Sequence, residues 1–405
     1  MRPSATADVF VTGIGAVSCL GATADAFWTG LQAAAAPPTP VRGLTERVPD
    51  VRAYQVPDAD GPADAPDGAL GRAARFALSA AREAVGDAGL AAPEIAEAAV
   101  VIGTAVGESG GRESGPGQGG DRDGGGAGAV PAAAGPWEPM FSVAAAVGAE
   151  LSTFGTNISV SNACAASGYA LSVAVDMIRR GEADTVLLGG AEGISRVPLA
   201  GFSRLGAVDP EACRPFDAGR RGTVFGEGAA VLVLQSARAA AGRPVYGRVL
   251  GTAWSCDAHH PTAPDPGGEQ LVRVARAALT EAGCGPADVG CVIPHGTGTR
   301  QNDVVEYQVL REVLGDRVAD TPLFSLKAFI GHTAGAAAAF AAVSAALMAR
   351  HGRIPANVPL AEPDPQCPVR LPQDGPTPLR QPHVLVNAYA FGGSNFTMVF
   401  GGGER

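Results

Sequence analysis

The order of apolar elements in the first half of the chain recurs in the second, and this repetition restricts the architecture more than any other feature. Residues 8–17, DVFVTGIGAV, read as a buried strand ending in glycine, 72–87 as a helix and 98–103, AAVVIG, as another strand. A helix is expected around 138–150, a strand over 156–161, and a helix from Cys164 to about Arg180, ended by Gly181. Strands at 184–190 and 229–235 follow. In the second half VYGRVLGTAWS (245–255) echoes the opening strand, 269–283 the first helix, and VGCVIPHGTGT (289–299) the stretch AAVVIGTAVG (98–107). LFSLKAFIGHTAGAAAA (323–339) stands where ISVSNACAASGYALS (158–172) stood, a strand entering an apolar helix. HVLVNAYAFGGSNFTMVFG (383–401) closes the chain with two strands about a tight turn. The expected fold is a duplicated α/β unit, with halves over 1–243 and 244–405 packed together. The residues with reactive side chains fall where strands end, and open α/β sheets place ligands there.

Composition narrows the function classes. At 405 residues and 46% hydrophobic content the chain can bury a large core. A net charge of -10 and the lack of a Lys/Arg-rich run with interleaved aromatics speak against nucleic acid. MRPSATADVFVTGIG shows no secretory signal, so the chain is expected to act in the cytoplasm. The most apolar stretch, TAGAAAAFAAVSAALMA (333–349), is mostly alanine and falls short of the roughly 18 residues of a membrane span, so it reads as a buried helix. Seven cysteines, an odd number without a CxxC pair, are expected to be reduced thiols. Residues 107–136 are Gly-rich and of low complexity and read as a surface loop. They lack the GxxxxGK[ST] spacing that cradles phosphates.

Cys164 sits at an expected helix start, where unpaired N–H groups and the helix dipole favour a thiolate. Alanines at 163, 165 and 166 leave room for a long, thin substrate. On its own a lone cysteine is more often a small buried core residue, and this stretch by itself does not decide between the two. His295 follows the apolar strand CVI, and His332 opens the Ala-rich helix, so the two occupy corresponding strand ends. A thiol and two imidazoles are the inventory of thioester chemistry. Lys327, between LFSL and AFIG, could orient a histidine and add positive charge near an oxyanion. FGGSN (391–395) is a glycine turn whose Phe391 N–H, with the N–H of Cys164, could form an oxyanion hole. Cys256, His259 and His260 form the one close Cys/His set, but spacing supplies no further ligand, so no metal is expected and the segment reads as a pocket-lining loop.

Taken in order, VTGIGAVS, NACAASGYA, RPFDAGRRGTVFGEGAAVLVL (214–234), PHGTGTRQNDVVE, LKAFIGHTAGAAAA and NAYAFGGSNFTMVF resemble the β-ketoacyl-[acyl-carrier-protein] synthase family over essentially the whole chain. The resemblance implies the thiolase-like α/β fold in a layered αβαβα architecture. It implies that Cys164 is the acyl-accepting nucleophile, His295 and His332 the catalytic histidines and Lys327 their support. It further assigns Phe202, Thr297, Thr299, Phe391, Gly392 and Gly393 to the substrate pocket and its gating. The implied reaction is decarboxylative condensation of an acyl-Cys enzyme with a malonyl-type thioester. Substrates would arrive on the phosphopantetheine arm of an acyl carrier protein, and no cofactor is required. TRQND after HGTG is closer in look to polyketide-type enzymes than to housekeeping fatty-acid ones. The family implies a dimer, with itself or with a chain-length-factor-like subunit, and Arg72, Arg75 and Arg204 are docking candidates for an acidic carrier.

Two departures stand out. Ala341 replaces the family's Glu nine residues after His332, which leaves acidic support for Lys327 to Glu306 or Asp303. Arg221 stands where an acid is usual. Two other functions remain in view. A non-catalytic chain-length factor would lack the nucleophile that Cys164 supplies, whereas an ester- or amide-forming acyltransferase would share the same triad. A thiolase would carry a second cysteine at the FGGSN turn.

Overall fold

The computed structural model describes residues 8–33, 35–42, 51–57, 70–109 and 140–402. Most of the Gly-rich insert, from residue 110 onward, lies outside the described residues. The main sheet contains β1 (Val9–Val17), β2 (Ala99–Gly103), β3 (Asn157–Val160), β4 (Thr185–Glu192) and β5 (Gly228–Ser236) from the first half. The second half contributes β6 (Gly247–Cys256), β7 (Val289–Ile293), β8 (His383–Tyr389) and β9 (Ser394–Gly402).

The repeat read in the sequence is a repeat of topology. In the first half the strands lie in the order β3-β2-β4-β5-β1, parallel from β3 to β4 and antiparallel thereafter. In the second, β7-β8-β9-β6 has the same relative order and directions, and Leu323 makes a parallel bridge to Val292 where the counterpart of β3 belongs. The expected strand there is reduced to this bridge, because the chain turns at once into the helical turn Lys327–Ile330. The two sets join where Val9–Val11 of β1 pairs with Gly247–Val249 of β6.

The helices of nine residues or more are α1 (Ala24–Gln32), α2 (Arg72–Asp87), α3 (Ser142–Leu151), α4 (Ala166–Arg179), α5 (Arg196–Arg204), α6 (Glu269–Glu281), α7 (Arg300–Leu314) and α8 (Ala337–His351). Helix α2 covers the outer face of the first set and packs on α3, while α6 covers the second set and packs on α7. Helices α4 and α8 touch each other and strands of both halves, so they form the middle layer of an αβαβα stack. The continuous helical run Ala334–His351 is 18 residues long, longer than the sequence suggested, and 83% of it is buried inside the protein. Its apolarity serves the core, where Phe340, Ala342, Val343, Ala345 and Met348 are fully buried.

Small residues let these layers approach. A Cβ on Gly13 of β1 would lie 2.3 Å from the Ala84 carbonyl oxygen of α2, and one on Gly251 of β6 would lie 2.3 Å from that of Ala278 in α6. The two glycines do the same work in the two halves. Gly251→Ala is therefore expected to lower stability by about 1–3 kcal/mol through overpacking. Gly86→Ala, in open space near the end of α2, should raise it by about 0.5–1 kcal/mol through helix propensity. Thermal unfolding of the two variants beside the parent checks both signs.

Candidate active site

The strand-to-helix turn after β3 carries the nucleophile candidate. Ala163 adopts φ 45, a left-handed conformation that a side chain tolerates poorly, and it turns Cys164 inward just before α4. The equivalent turn of the second half presents His332. Gly331, at φ 68, lies so close to the Val224 and Phe225 carbonyls that a Cβ there would clash. The His332 N–H then donates to Val224 O at 2.8 Å, and the His332 carbonyl accepts from Gly226 N at 3.1 Å. So fixed, the His332 Nε2 stands 3.0 Å from Cys164 Sγ.

His295 enters at the end of β7, its ring 5.5 Å from that of His332 and nearly perpendicular to it. Glu306 of α7 holds the backbone there, accepting from His295 N at 2.7 Å and Gly296 N at 2.8 Å. Lys327 Nζ donates to the His295 carbonyl from the other side. All four candidates are buried: Cys164 is 7% exposed, His295 4%, Lys327 7% and His332 1%.

Burial governs their protonation. It pushes the Cys164 thiol up to about 12, opposed by the Lys327 charge and by the backbone N–H groups of Phe391 and of Cys164 itself. The expectation of a helix start that favours the thiolate is thus corrected: α4 begins two residues later, at Ala166, and loss of water outweighs the local N–H groups. The same burial, with Lys327 nearby, holds both histidines well below the ordinary imidazole range. They are neutral imidazoles at neutral pH, each with one N–H to donate. Burial also lowers Lys327, and the charge of Glu306 is the largest influence opposing it.

Of the two acids expected to support Lys327, Glu306 therefore does so through its charge while clamping the His295 backbone. Asp303 adds a smaller contribution of the same sign, while its own bonds go elsewhere: it accepts from Phe216 N at 2.9 Å and pairs with the buried Arg220 at 3.3 Å. Ala341 lines a cavity of about 10 Å³ together with Lys327 and Asn387, and Asn387 Nδ2 donates to Glu306 at 3.2 Å. Arg221 is neutralised by Glu211 at 2.7 Å and Asp209 at 3.5 Å.

Cys164, His295 and His332 open onto a cavity of about 310 Å³. Phe202, Thr297, Thr299 and Phe391 line it, with Leu205, Asp257, His260 and Tyr389, which the sequence had not singled out as site residues apart from His260 in its loop. Phe391 stacks on Phe202 at 4.5 Å, and Phe202 meets Phe225 edge-on at 4.9 Å. Gly392 (φ 86) and Gly393 (φ 78) do not line the cavity; they form the turn that carries Phe391. Thr297 and Thr299 hydroxyls lie 2.9 Å apart. His260 Nδ1 accepts from Thr262 N and Ala263 N, each at 3.1 Å, and among the described residues no cluster of three metal-ligating side chains includes it.

Two buried acids were not among the candidates read from the sequence. Glu192, at the end of β4, accepts from Ala105 N at 2.7 Å, Gly335 N at 2.9 Å, Thr104 Oγ1 and Val106 N, and burial still raises it to about 7. Its partners come from distant stretches, so only a lone acid after an apolar strand hinted at it. Glu227 receives two bonds from Arg72, at 2.9 and 2.5 Å. Arg72 thereby ties α2 to the buried GEG turn, with its side chain still 34% exposed. Arg75 is half-buried on α2, and Arg204 is exposed at the end of α5.

Residues 6–240 match the family described as Beta-ketoacyl synthase, N-terminal domain, and 246–361 match Beta-ketoacyl synthase, C-terminal domain. The chain belongs to the beta-ketoacyl synthase family. It is 34% identical to Nodulation protein E of Rhizobium meliloti over 64% of this chain and 65% of that protein. It is 33% identical to 3-oxoacyl-[acyl-carrier-protein] synthase 2 of Staphylococcus aureus over 63% of this chain and 65% of that one. The matched region spans just under two thirds of the length of these curated relatives.

Solved structures cover more. The ishigamide ketosynthase/chain length factor superposes with a TM-score of 0.86 at 32% identity, covering 99% of this chain and 100% of that one. A type II polyketide synthase acyl-carrier protein complex with its ketosynthase bound to the hexaketide gives 0.85 at 25% identity, covering 98% of this chain and 100% of that one. A ketosynthase in complex with its chain length factor from Xenorhabdus doucetiae gives 0.80 at 27%, covering 98% of each.

Because the Lys327 charge lowers the Cys164 pKa, Lys327→Met is expected to slow alkylation of Cys164 by iodoacetamide at pH 8. The expected loss is about tenfold, equivalent to one pKa unit of thiolate. Rate against pH, followed by mass spectrometry of the Cys164 peptide, measures it.

Proposed function

We propose that the chain is a condensing β-ketoacyl-[acyl-carrier-protein] synthase of polyketide or specialised fatty-acid type. The observation that supports this most is the 3.0 Å approach of His332 Nε2 to Cys164 Sγ at the floor of a cavity, with the N–H groups of Cys164 and Phe391 acting on the same sulfur. A buried thiol that is protonated at rest needs a base at contact distance when it attacks, and His332 stands there. Cys164 attacks the carbonyl of an acyl thioester carried on phosphopantetheine, and the Cys164 and Phe391 amides hold the tetrahedral oxyanion. The carbon–sulfur bond to the carrier arm breaks, and the carrier thiol leaves with the proton taken from Cys164.

A malonyl-type thioester then fills the vacated space and loses CO₂. The electron pair of the broken bond moves onto the thioester oxygen, where the neutral histidines each offer an N–H. The enolate carbon attacks the acyl-Cys carbonyl, and the Cys164 thiolate departs and takes a proton from water to restore the resting thiol, leaving a β-keto chain two carbons longer on the carrier. Neutral histidines suit this step, with His332 in the tautomer that carries its proton on Nε2, since each then offers an N–H without bringing a charge of its own. Lys327 fixes His295 through its carbonyl and keeps positive charge near the developing anions.

The halves 1–243 and 244–405 act as one unit, since the nucleophile comes from the first and His295, Lys327 and His332 from the second. An acyl carrier protein is the proposed partner, with dimerisation to a second copy or to a chain-length-factor-like subunit. Arg204 stands between Phe202 and Leu205, both of which line the cavity, and is the preferred docking residue.

Intact-mass analysis with acyl- and malonyl-carrier protein tests the reaction. An acyl adduct that is absent in Cys164→Ala, followed by CO₂ and β-ketoacyl product, is expected; an adduct without CO₂ release turns the assignment to an ester- or amide-forming acyltransferase. His295→Ala should cut CO₂ release about 100-fold or more while leaving the adduct. Arg204→Glu should raise KM for carrier-borne substrate several-fold and leave a free pantetheine thioester unaffected.

A further inference from the structure

A separate cavity of about 420 Å³ lies at the other end of β7 from His295, lined in part by Gly290, Arg317, Asp320, Thr321, Arg370 and Arg380. The five residues of β7 put about 16 Å of strand between this cavity and the catalytic end. On a chain whose net charge is -10, the residues that line it include three arginines and a single acid, Asp320. Arg214, Arg220, Arg221 and Arg276 each pair with an acid, but among the described residues none of these three does. Like charges gathered without partners repel one another, and an anion between them removes that cost.

The framework of the cavity is built. Arg370 Nη1 donates to the Asp320 carbonyl at 2.6 Å, which holds one edge of that guanidinium and orients the rest. The Arg317 carbonyl accepts from Thr321 N and from Thr321 Oγ1, each at 2.8 Å, which fixes the turn. Arg317 Nε is itself buried and has no hydrogen-bond partner. A buried donor of this kind is costly unless an acceptor reaches it.

We infer that this cavity is an anion site for a phosphoryl group, free or carried as a small phosphomonoester. Guanidinium forks offer paired N–H donors that match phosphate oxygens, and three of them suit a tetrahedral dianion better than a planar carboxylate. The volume exceeds that of the anion alone and leaves room for an organic body. The inference stands independently of the condensation chemistry.

The full-length enzyme is titrated calorimetrically with inorganic phosphate and with glycerol 3-phosphate at ionic strength held constant with sodium chloride. Saturable one-to-one binding of at least one probe is expected, weakened tenfold or more by Arg317→Gln and by Arg380→Gln and unchanged by Arg276→Gln. Tighter binding of the ester supports a phosphomonoester ligand, and tighter binding of phosphate supports the free ion. Arg380 is exposed, so its variant reports even where Arg317→Gln fails to fold. Binding of neither probe, or binding unaltered by Arg380→Gln, overturns the inference.

Discussion

The contact between α4 and α8 is the constraint on which the rest of this structure depends. Each helix is apolar on nearly every side, and each can be buried only between the two sets of strands. Bringing them together also sets their first turns side by side. Ser167 Oγ of α4 accepts from Ala339 N of α8 at 3.1 Å, so one helix satisfies an orphan donor of the other. The turns just ahead of them carry Cys164 and His332. The active centre is thus a product of core packing, and the duplicated topology is what makes the two turns meet.

The electrostatics follow from the same burial. A dry site raises the thiol and lowers the imidazoles and the lysine, so the resting centre is largely uncharged apart from Lys327 and the acids around it. In the proposed reaction, anions that form during acyl transfer or decarboxylation then meet oriented N–H groups in place of water, where such groups act most strongly. Glu306 serves two purposes. It clamps the backbone of the His295 loop, and its charge offsets part of the desolvation of Lys327 across the gap left by Ala341.

The repeated order of strands and helices was legible because apolar periodicity and glycine stops are local signals. Arg72–Asp87 matches its expected bounds, and the two strands about FGGSN fall where the pattern puts them. The candidate site residues were legible through their place at strand ends, reinforced by family motifs. Other features depended on distant partners. No local pattern says that Arg72 pairs with Glu227, that Asp303 pairs with Arg220, or that Glu192 gathers N–H groups from 105, 106 and 335. The thiolate expectation failed for a related reason: a helix start is visible in sequence, but the depth at which it is buried is not. Leu323–Leu326 read as a strand because it is apolar, yet one bridge is all the turn before Lys327 permits.

The central claim is a division of labour, in which the amides of Cys164 and Phe391 hold the acyl oxygen while the two histidines serve the enolate oxygen, His332 after first handling the Cys164 proton. The crystal structure of the enzyme acylated with a short-chain thioester tests it most directly. The account predicts an acyl group on Cys164 Sγ with its carbonyl oxygen within about 3.2 Å of both amide nitrogens and turned away from His295 and His332. An acyl oxygen bonded to either histidine, or an acyl group on another cysteine, would contradict it.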